Sequence, residues 1–285
     1  MTETAVNAVV PQRHTIRLQP THGFSRVLSP HELWRYRELG LQLARRDITV
    51  RYRQTVLGAL WAVVQPLASM VVFALIFGRL AHLPSEGHSY ALFTLAALVP
   101  WTFFSNSVLL GSDSLVANAA LVSKIYFPRI FIPAAVVVAG LVDLAIGIVI
   151  VVAVSAASGD LPTARVFVLP LFAVLGATTA LGVASGLSAA NVRFRDVRYV
   201  VPFGVQLWLF ATPVAYSLTL VHEPWRTLAA LNPMVGVVEG FRWSVLGGTP
   251  VAWTVVAVSA ASAVFLLALG LSYFDRVERT FADLL

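Results

Sequence analysis

Residues 130–159 read IFIPAAVVVAGLVDLAIGIVIVVAVSAASG, thirty positions with a single charge, Asp143. A helix needs about 20 predominantly apolar residues to cross the hydrocarbon core of a bilayer, and this stretch has room to spare. Working outward, windows of similar length recur. One lies between Arg53 and Arg79 and another between Glu86 and Asp113, with further windows at Arg165–Arg193, Arg198–Glu223 and Arg242–Asp275. The pattern predicts an all-α integral membrane protein with six transmembrane helices, near 59–78, 91–110, 133–157, 166–187, 200–220 and 251–273. The whole chain agrees. It is 58% hydrophobic and 12% charged, with a mean hydropathy of +0.80, against roughly 45–50% and about 25% in soluble domains. That leaves too little polar material for a water-facing shell, which excludes a soluble enzyme, a disordered tail protein and a disulfide-stapled secreted domain. The absence of cysteine excludes thiol catalysis, thiolate metal sites and disulfides.

The basic residues orient the chain. There are 19 Arg and one Lys, Lys124. With the N-terminus inside, 16 of them fall in cytoplasmic segments, leaving Arg79, Arg165, Arg226 and Arg242 outside. This positive-inside bias predicts a multi-pass protein of the bacterial cytoplasmic (inner) membrane with both termini cytoplasmic and no cleavable signal peptide. It also accounts for the pI of 10.2 through membrane lipids as partners, with no nucleic acid. Four parts are expected: a flexible cytoplasmic tail at 1–28, an interfacial amphipathic helix with its connector at 29–58, the six-span domain at 59–273 and a cytoplasmic tail at 274–285. Ser29, Pro30 and Glu32 compose a helix start. On a helical projection Leu33, Trp34, Tyr36, Leu39, Leu41, Leu43 and Ala44 share one side, and Arg35, Glu38, Gln42, Arg45 and Arg46 the other. Such a helix lies in the inner headgroup plane or packs on a soluble partner. Before the last span, 221–250 is long for a turn, and Asn232-Pro233 breaks its apolar stretches. Either two half-helices dip into the outer leaflet or an amphipathic pair lies on it.

No G-x-x-x-x-G-K-[ST] exists, so no phosphate-cradling loop of that type does either; transport driven by ATP would need another polypeptide to hydrolyse it. No residue is assigned a catalytic or metal-ligating role. Asp143 is the lone intramembrane carboxylate, either bonded to a neighbouring helix or, less simply, a proton site. His82, Glu86 and His88, and His222 with Glu223, read as solvated loop residues rather than a metal site. Trp101, Phe104, Trp208, Phe210 and Tyr216 cluster near outer span ends, where aromatics either form an interfacial belt or stack on sugar rings. Pro66, Pro100 and Pro213 interrupt spans.

Several stretches, in order from about residue 31 to 280, resemble the membrane (permease) subunit of ABC polysaccharide exporters of the O-antigen and teichoic acid type. They are RDI at 46–48, RYRQTVLGALW at 51–61, QPL at 65–67, VPWTFFS at 99–105, SLVAN at 114–118, SKIYFPR at 123–129, NVRFRDVRY at 191–199, TPV at 212–214 and NPM at 232–234. The resemblance implies a homodimer bound to two copies of a cytoplasmic ABC ATPase. No cofactor is expected on this chain; ATP and Mg belong to the partner. The cargo implied is a polyprenyl-linked glycan of O-antigen, teichoic acid or galactan type. In that family Ser123, Lys124, Tyr126, Phe127, Pro128 and Arg129 correspond to the helix that couples to the ATPase. Leu33, Trp34, Leu39 and Leu43 would seat the interfacial helix, and the five aromatics above would line the path. A permease of the same fold for a small hydrophobic drug or lipid is the alternative. A membrane-embedded transferase or phosphatase would need more charged groups facing one cavity than the sequence offers.

Overall fold

The computed structural model describes residues 30–53, 60–124, 127–159, 163–248, 251–278 and 281. The tail at 1–28, the Ser29 cap, the connector from 54 to 58 and Tyr126 lie outside the described residues, as does the side chain of Leu33. The elements run α1 (Pro30–Arg35), α2 (Arg37–Arg53), α3 (Leu60–Phe73) continued by a π-helical stretch (Ala74–Leu80), α4 (Tyr90–Ala117), α5 (Ala119–Lys124) and α6 (Phe131–Ala157). After a 3-10 turn (Ala164–Val168) come α7 (Leu169–Arg193) and α8 (Val197–Ala211), a second 3-10 turn (Leu218–Leu220), α9 (Trp225–Ala229), α10 (Pro233–Leu246) and α11 (Trp253–Glu278). No strand occurs among the described residues.

Five segments are long and apolar enough to cross a membrane: Val63–Leu80, Tyr90–Ala117, Phe131–Ala157, Ala164–Arg193 and Trp253–Glu278. They match five of the expected spans. The remaining one, expected at 200–220, is shorter. α8 has 15 residues and stops at Ala211, so at 1.5 Å per residue it reaches only about 22 Å. Hydropathy continues past Ala211, but Thr212-Pro213 turns the chain inward, and Thr212 and Val214 are buried.

α4 is the centre. In its most apolar window 78% of residues are buried, against 6% in the first span, and α3, α6, α7, α8 and α10 all pack on it. Its entry into helix is set by Ser89, whose side chain accepts from the Leu92 amide at 3.4 Å, satisfying one of the orphan donors of a helix start.

α7 and α11 make the closest backbone approach. A Cβ on Gly182 would lie 2.6 Å from the Leu267 Cα, and one on Gly270 would overlap the Gly182 carbonyl oxygen; Gly186, one turn on, stands at the same crossing. Between membrane helices there is no hydrophobic drive, so small residues that let backbones touch supply dispersion contact instead. The Gly182-Val183-Ala184-Ser185-Gly186 spacing is that signature.

Within 221–248 the second half is a helix packed inside the chain. α10 is capped by Asn232, starts on Pro233, and buries Met234, Val235, Val237, Val238 and Phe241 against α4, α7 and α11. α9 is one short turn with Trp225 and Leu228 exposed.

Candidate translocation path and coupling surface

At the end bearing the 82–89 and 212–224 loops, here the outer end, the interrupted crossing is held by side chains. Non-helical backbone at membrane depth survives only where its polar groups are satisfied inside protein. Asn232 Nδ2 donates to the Ala211 carbonyl at 3.3 Å and to the Thr212 hydroxyl at 2.9 Å. Arg242 donates to the carbonyls of Val214 at 2.7 Å, Tyr216 at 3.2 Å and Phe93 at 3.3 Å. The Tyr90 hydroxyl donates to Ala215. Arg242 is buried; its charge is met by Glu239 at 3.0 Å, and its guanidinium lies 3.7 Å from the Phe93 ring centroid. One arginine therefore ties α10, the start of α4 and the 212–217 turn together.

Midway along α6, Asp143 has partners from α2: Arg51 forms an ion pair with one carboxylate oxygen and the Tyr52 hydroxyl donates to the other. Burial, followed by the bond to Asp143, pushes the Tyr52 hydroxyl up to about 12. These groups edge a cavity of about 390 Å3 whose other polar residues are Gln65, Thr102 and Asn106. Sequence placed Asp143 in a hydrogen bond with a neighbouring helix but missed its partners. Both precede the first span, in the RYR stretch. A second clamp joins three helix ends, where Asn191 Nδ2 donates to the Ser112 carbonyl at 3.0 Å and Arg198 stands 3.5 Å from Asp113.

α2 packs on α6. Leu43 and Ala44 are buried, and Tyr36 and Leu39 pack against the same cluster, which includes Ile130, Phe274 and Phe281. Trp34 and Leu41, on the apolar side of the projection, are exposed on the chain, Trp34 at 70%; the Arg37 guanidinium covers the Trp34 ring at 4.4 Å. The helix is interrupted at Tyr36, which rotates the first turn away from the continuous projection.

The predicted coupling residues divide. Ser123 and Lys124, ending α5, are exposed, and Pro128 is half-buried. Phe127 is buried in the inner cluster. Arg129 is engaged within the chain: its amide donates to Glu278 Oε1 at 3.2 Å, its guanidinium to the Glu278 carbonyl at 2.6 Å, and it lies 5.6 Å from the Phe281 ring centroid. Of the described members, Ser123 and Lys124 have the side chains most open to a partner.

The aromatics divide as well. Trp101 and Phe104 are enclosed within the chain, so of the five aromatics they stand behind the surface rather than on it. α4 is apolar on every side, so no sequence stripe distinguished its inner faces. Phe104 meets Trp208 edge-on, centroids 5.0 Å apart, and the Trp208 indole donates to Asn232 Oδ1 at 2.8 Å. Trp208 and Tyr216 are half-buried, and Phe210 is 63% exposed. Among the described residues no group of three or more potential metal ligands gathers.

A family model described as ABC-2 type transporter matches residues 39–246. Over 255 residues the chain is 33% identical to the O-antigen export system permease protein RfbA of Myxococcus xanthus, covering 88% of this chain and 97% of that one. It is 28% identical over 249 residues to the RfbA permease of Klebsiella pneumoniae, with 87% and 95% covered. To the polysialic acid transport protein KpsM of Escherichia coli it is 24% identical over 204 residues, with 71% and 79% covered.

Proposed function

Because the chain belongs to the ABC-2 type transporter family, we propose that it is the membrane permease of a bacterial polysaccharide exporter of the O-antigen type, powered by ATP and Mg on a separate ABC ATPase. The observation that carries this is the match to an O-antigen export permease along 97% of that protein's length, too complete to be a shared scaffold fragment. The chain itself is a conduit rather than a catalyst. Its exposed α5 end, Ser123-Lys124, is the docking point for the ATPase, and α2, latched to Asp143, is the collar beside it.

Two copies form the channel, in the inner membrane with both termini cytoplasmic. α8 supports this: Tyr199, Val200, Phe203, Leu207 and Phe210 are exposed at helical spacing along one helix that is too short to stand alone in lipid. The cargo is a glycan on a polyprenyl lipid. Phe210, Tyr216 and the exposed edge of Trp208 offer it flat faces, with Phe104 and Trp101 as the backing that keeps Trp208 in place. Stacking contacts of roughly 0.5–1.5 kcal/mol each guide a polymer without arresting it.

Coexpression with its ATPase in a host lacking an O-antigen permease tests the proposal. Surface glycan is expected to return with the active ATPase and not with a hydrolysis-dead one. The chain lacks cysteine, so Phe203→Cys is expected to cross-link two copies. Extrusion of a hydrophobic dye without surface glycan would establish the small-molecule alternative instead.

A further inference from the structure

A cavity of about 230 Å3 lies at the outer end between the first outer loop, α9, α10 and the start of α11. Its wall carries two carboxylates, Glu86 and Glu239, two guanidiniums, Arg226 and Arg242, the Thr219 hydroxyl and the Trp243 indole. We propose that this cavity is a binding subsite for a single sugar ring of the exported glycan, distinct from the aromatic residues of the path. The inference rests on the polysaccharide-export reading above.

Size sets the first limit. Sites for drug-sized ligands run from about 300 Å3 upward, and this cavity falls below them while holding several water volumes of about 30 Å3 each. It fits one ring of a chain.

Charge sets the second. The two carboxylates and two guanidiniums offset one another, with the His88 imidazole beside them, so the wall is not built around a phosphate or a free cation. The carboxylates are also occupied: Glu239 by Arg242 at 3.0 Å, Glu86 by the Ser217 hydroxyl. An apolar ligand would strip water from Glu86 and Arg226, the less enclosed of the four, and return nothing.

Bonding capacity sets the third. Arg226 Nε is enclosed and has no acceptor, an uncommon state for a buried donor, which points to a partner outside the chain. A sugar hydroxyl both donates and accepts, so adjacent hydroxyls can serve an arginine N–H and a carboxylate oxygen together. The C–H face of the same ring matches the indole of Trp243, which is braced edge-on by Trp253 at 5.9 Å.

The cysteine-free chain makes the test direct. Thr219→Cys puts one thiol on the wall, and Thr227→Cys puts one on exposed α9, off the cavity lining. Each purified permease–ATPase complex is labelled with a small maleimide in the presence of millimolar mannopentaose, maltopentaose or a rhamnose trisaccharide. At twice its dissociation constant a bound sugar slows labelling about threefold, the factor 1 + [L]/Kd. That slowing is expected at Thr219→Cys with at least one sugar, and none at Thr227→Cys. Adding Arg226→Gln is expected to remove it; if that complex does not assemble, Arg226→Lys, which keeps the charge and loses the Nε donor, replaces it. No protection by any of the three sugars, equal protection at both thiols, or protection that survives both Arg226 changes overturns the subsite. Failure here with surface glycan restored leaves the export reading standing; protection in a chain that restores no glycan keeps the cavity's sugar chemistry and overturns the export reading.

Discussion

The two ends of the molecule solve opposite problems with the same few residue types. At the outer end regular helix gives out, and side chains replace it: Asn232, Arg242 and Tyr90 hold the carbonyls of residues 211 and 214–216. At the inner end the helices run to completion, and the polar contacts join one finished element to another. Arg129 meets the end of α11 there, and further in, midway along α6, Arg51 and Tyr52 of α2 meet Asp143. A side chain that substitutes for missing backbone bonds cannot be spared; one that fastens two intact elements can be. The outer contacts therefore carry folding, and the inner ones carry alignment.

Removing Arg242 is the strongest way to break that contrast. Arg242→Met leaves the Glu239 carboxylate and the Val214 and Tyr216 carbonyls without the arginine's donors, and breaking a buried pair from one side costs about 3–5 kcal/mol. The expected result is loss of most of the folded, monodisperse protein by size-exclusion chromatography in detergent. A thermal midpoint equal to wild type would erase the distinction between the ends.

Next in size is a split within the predicted coupling segment. Arg129→Glu removes the guanidinium bond to the Glu278 carbonyl and sets a second carboxylate near the Glu278 side chain, which the backbone amide of residue 129 still holds; it is expected to lower stability by about 1–3 kcal/mol, read as a reduced thermal midpoint. Lys124→Glu, on an exposed side chain, is expected to stay within about 0.5 kcal/mol while lowering stimulation of the partner's ATPase. Equal midpoints for the two variants, or stimulation unchanged by Lys124→Glu, would show that alignment and docking are not separated along this loop.

The smallest effect is at Tyr52. Its hydroxyl is raised from 10.0 to about 12, so the neutral form is favoured in the folded chain. Its contribution to stability is whole below pH 10, and is lost as pH rises through about 12. Difference absorbance of tyrosinate, against Tyr52→Phe, is expected to show late ionisation, and Asp143→Asn is expected to bring it earlier. Ionisation near 10 in the otherwise unchanged chain would mean the α2 latch is open in solution.

What sequence reveals and what it conceals follow the same division. Five spans were legible because long apolar runs leave a mark in composition; the break at Asn232-Pro233 was visible with two arrangements open, and the packing of Leu39 and Leu43 inside the chain was not visible at all. Nor was the short α8: hydropathy counts apolar side chains, and residues 212–216 are apolar enough to pass for helix while their bonding is not helical. Arg242 counted as one more outer charge, because its carbonyl acceptors carry no sequence identity. Asp143 lacked visible partners since Arg51 and Tyr52 sit some 90 positions earlier, outside every span. The burial of Trp101 and Phe104 within the chain left no mark in sequence, because α4 is apolar on every side. The glycine crossing of α7 and α11 was there to be found in the Gly182–Gly186 spacing.

That crossing has a mechanical consequence. Where two backbones touch at Gly182 and Gly270 there are no rotamers to rearrange, and α4 between its neighbours has little more freedom. The four-way stack of α4, α7, α10 and α11 is thus a stator. α3, nearly bare of internal cover, and the short α8 lie outside that block and are expected to shift against it before it deforms.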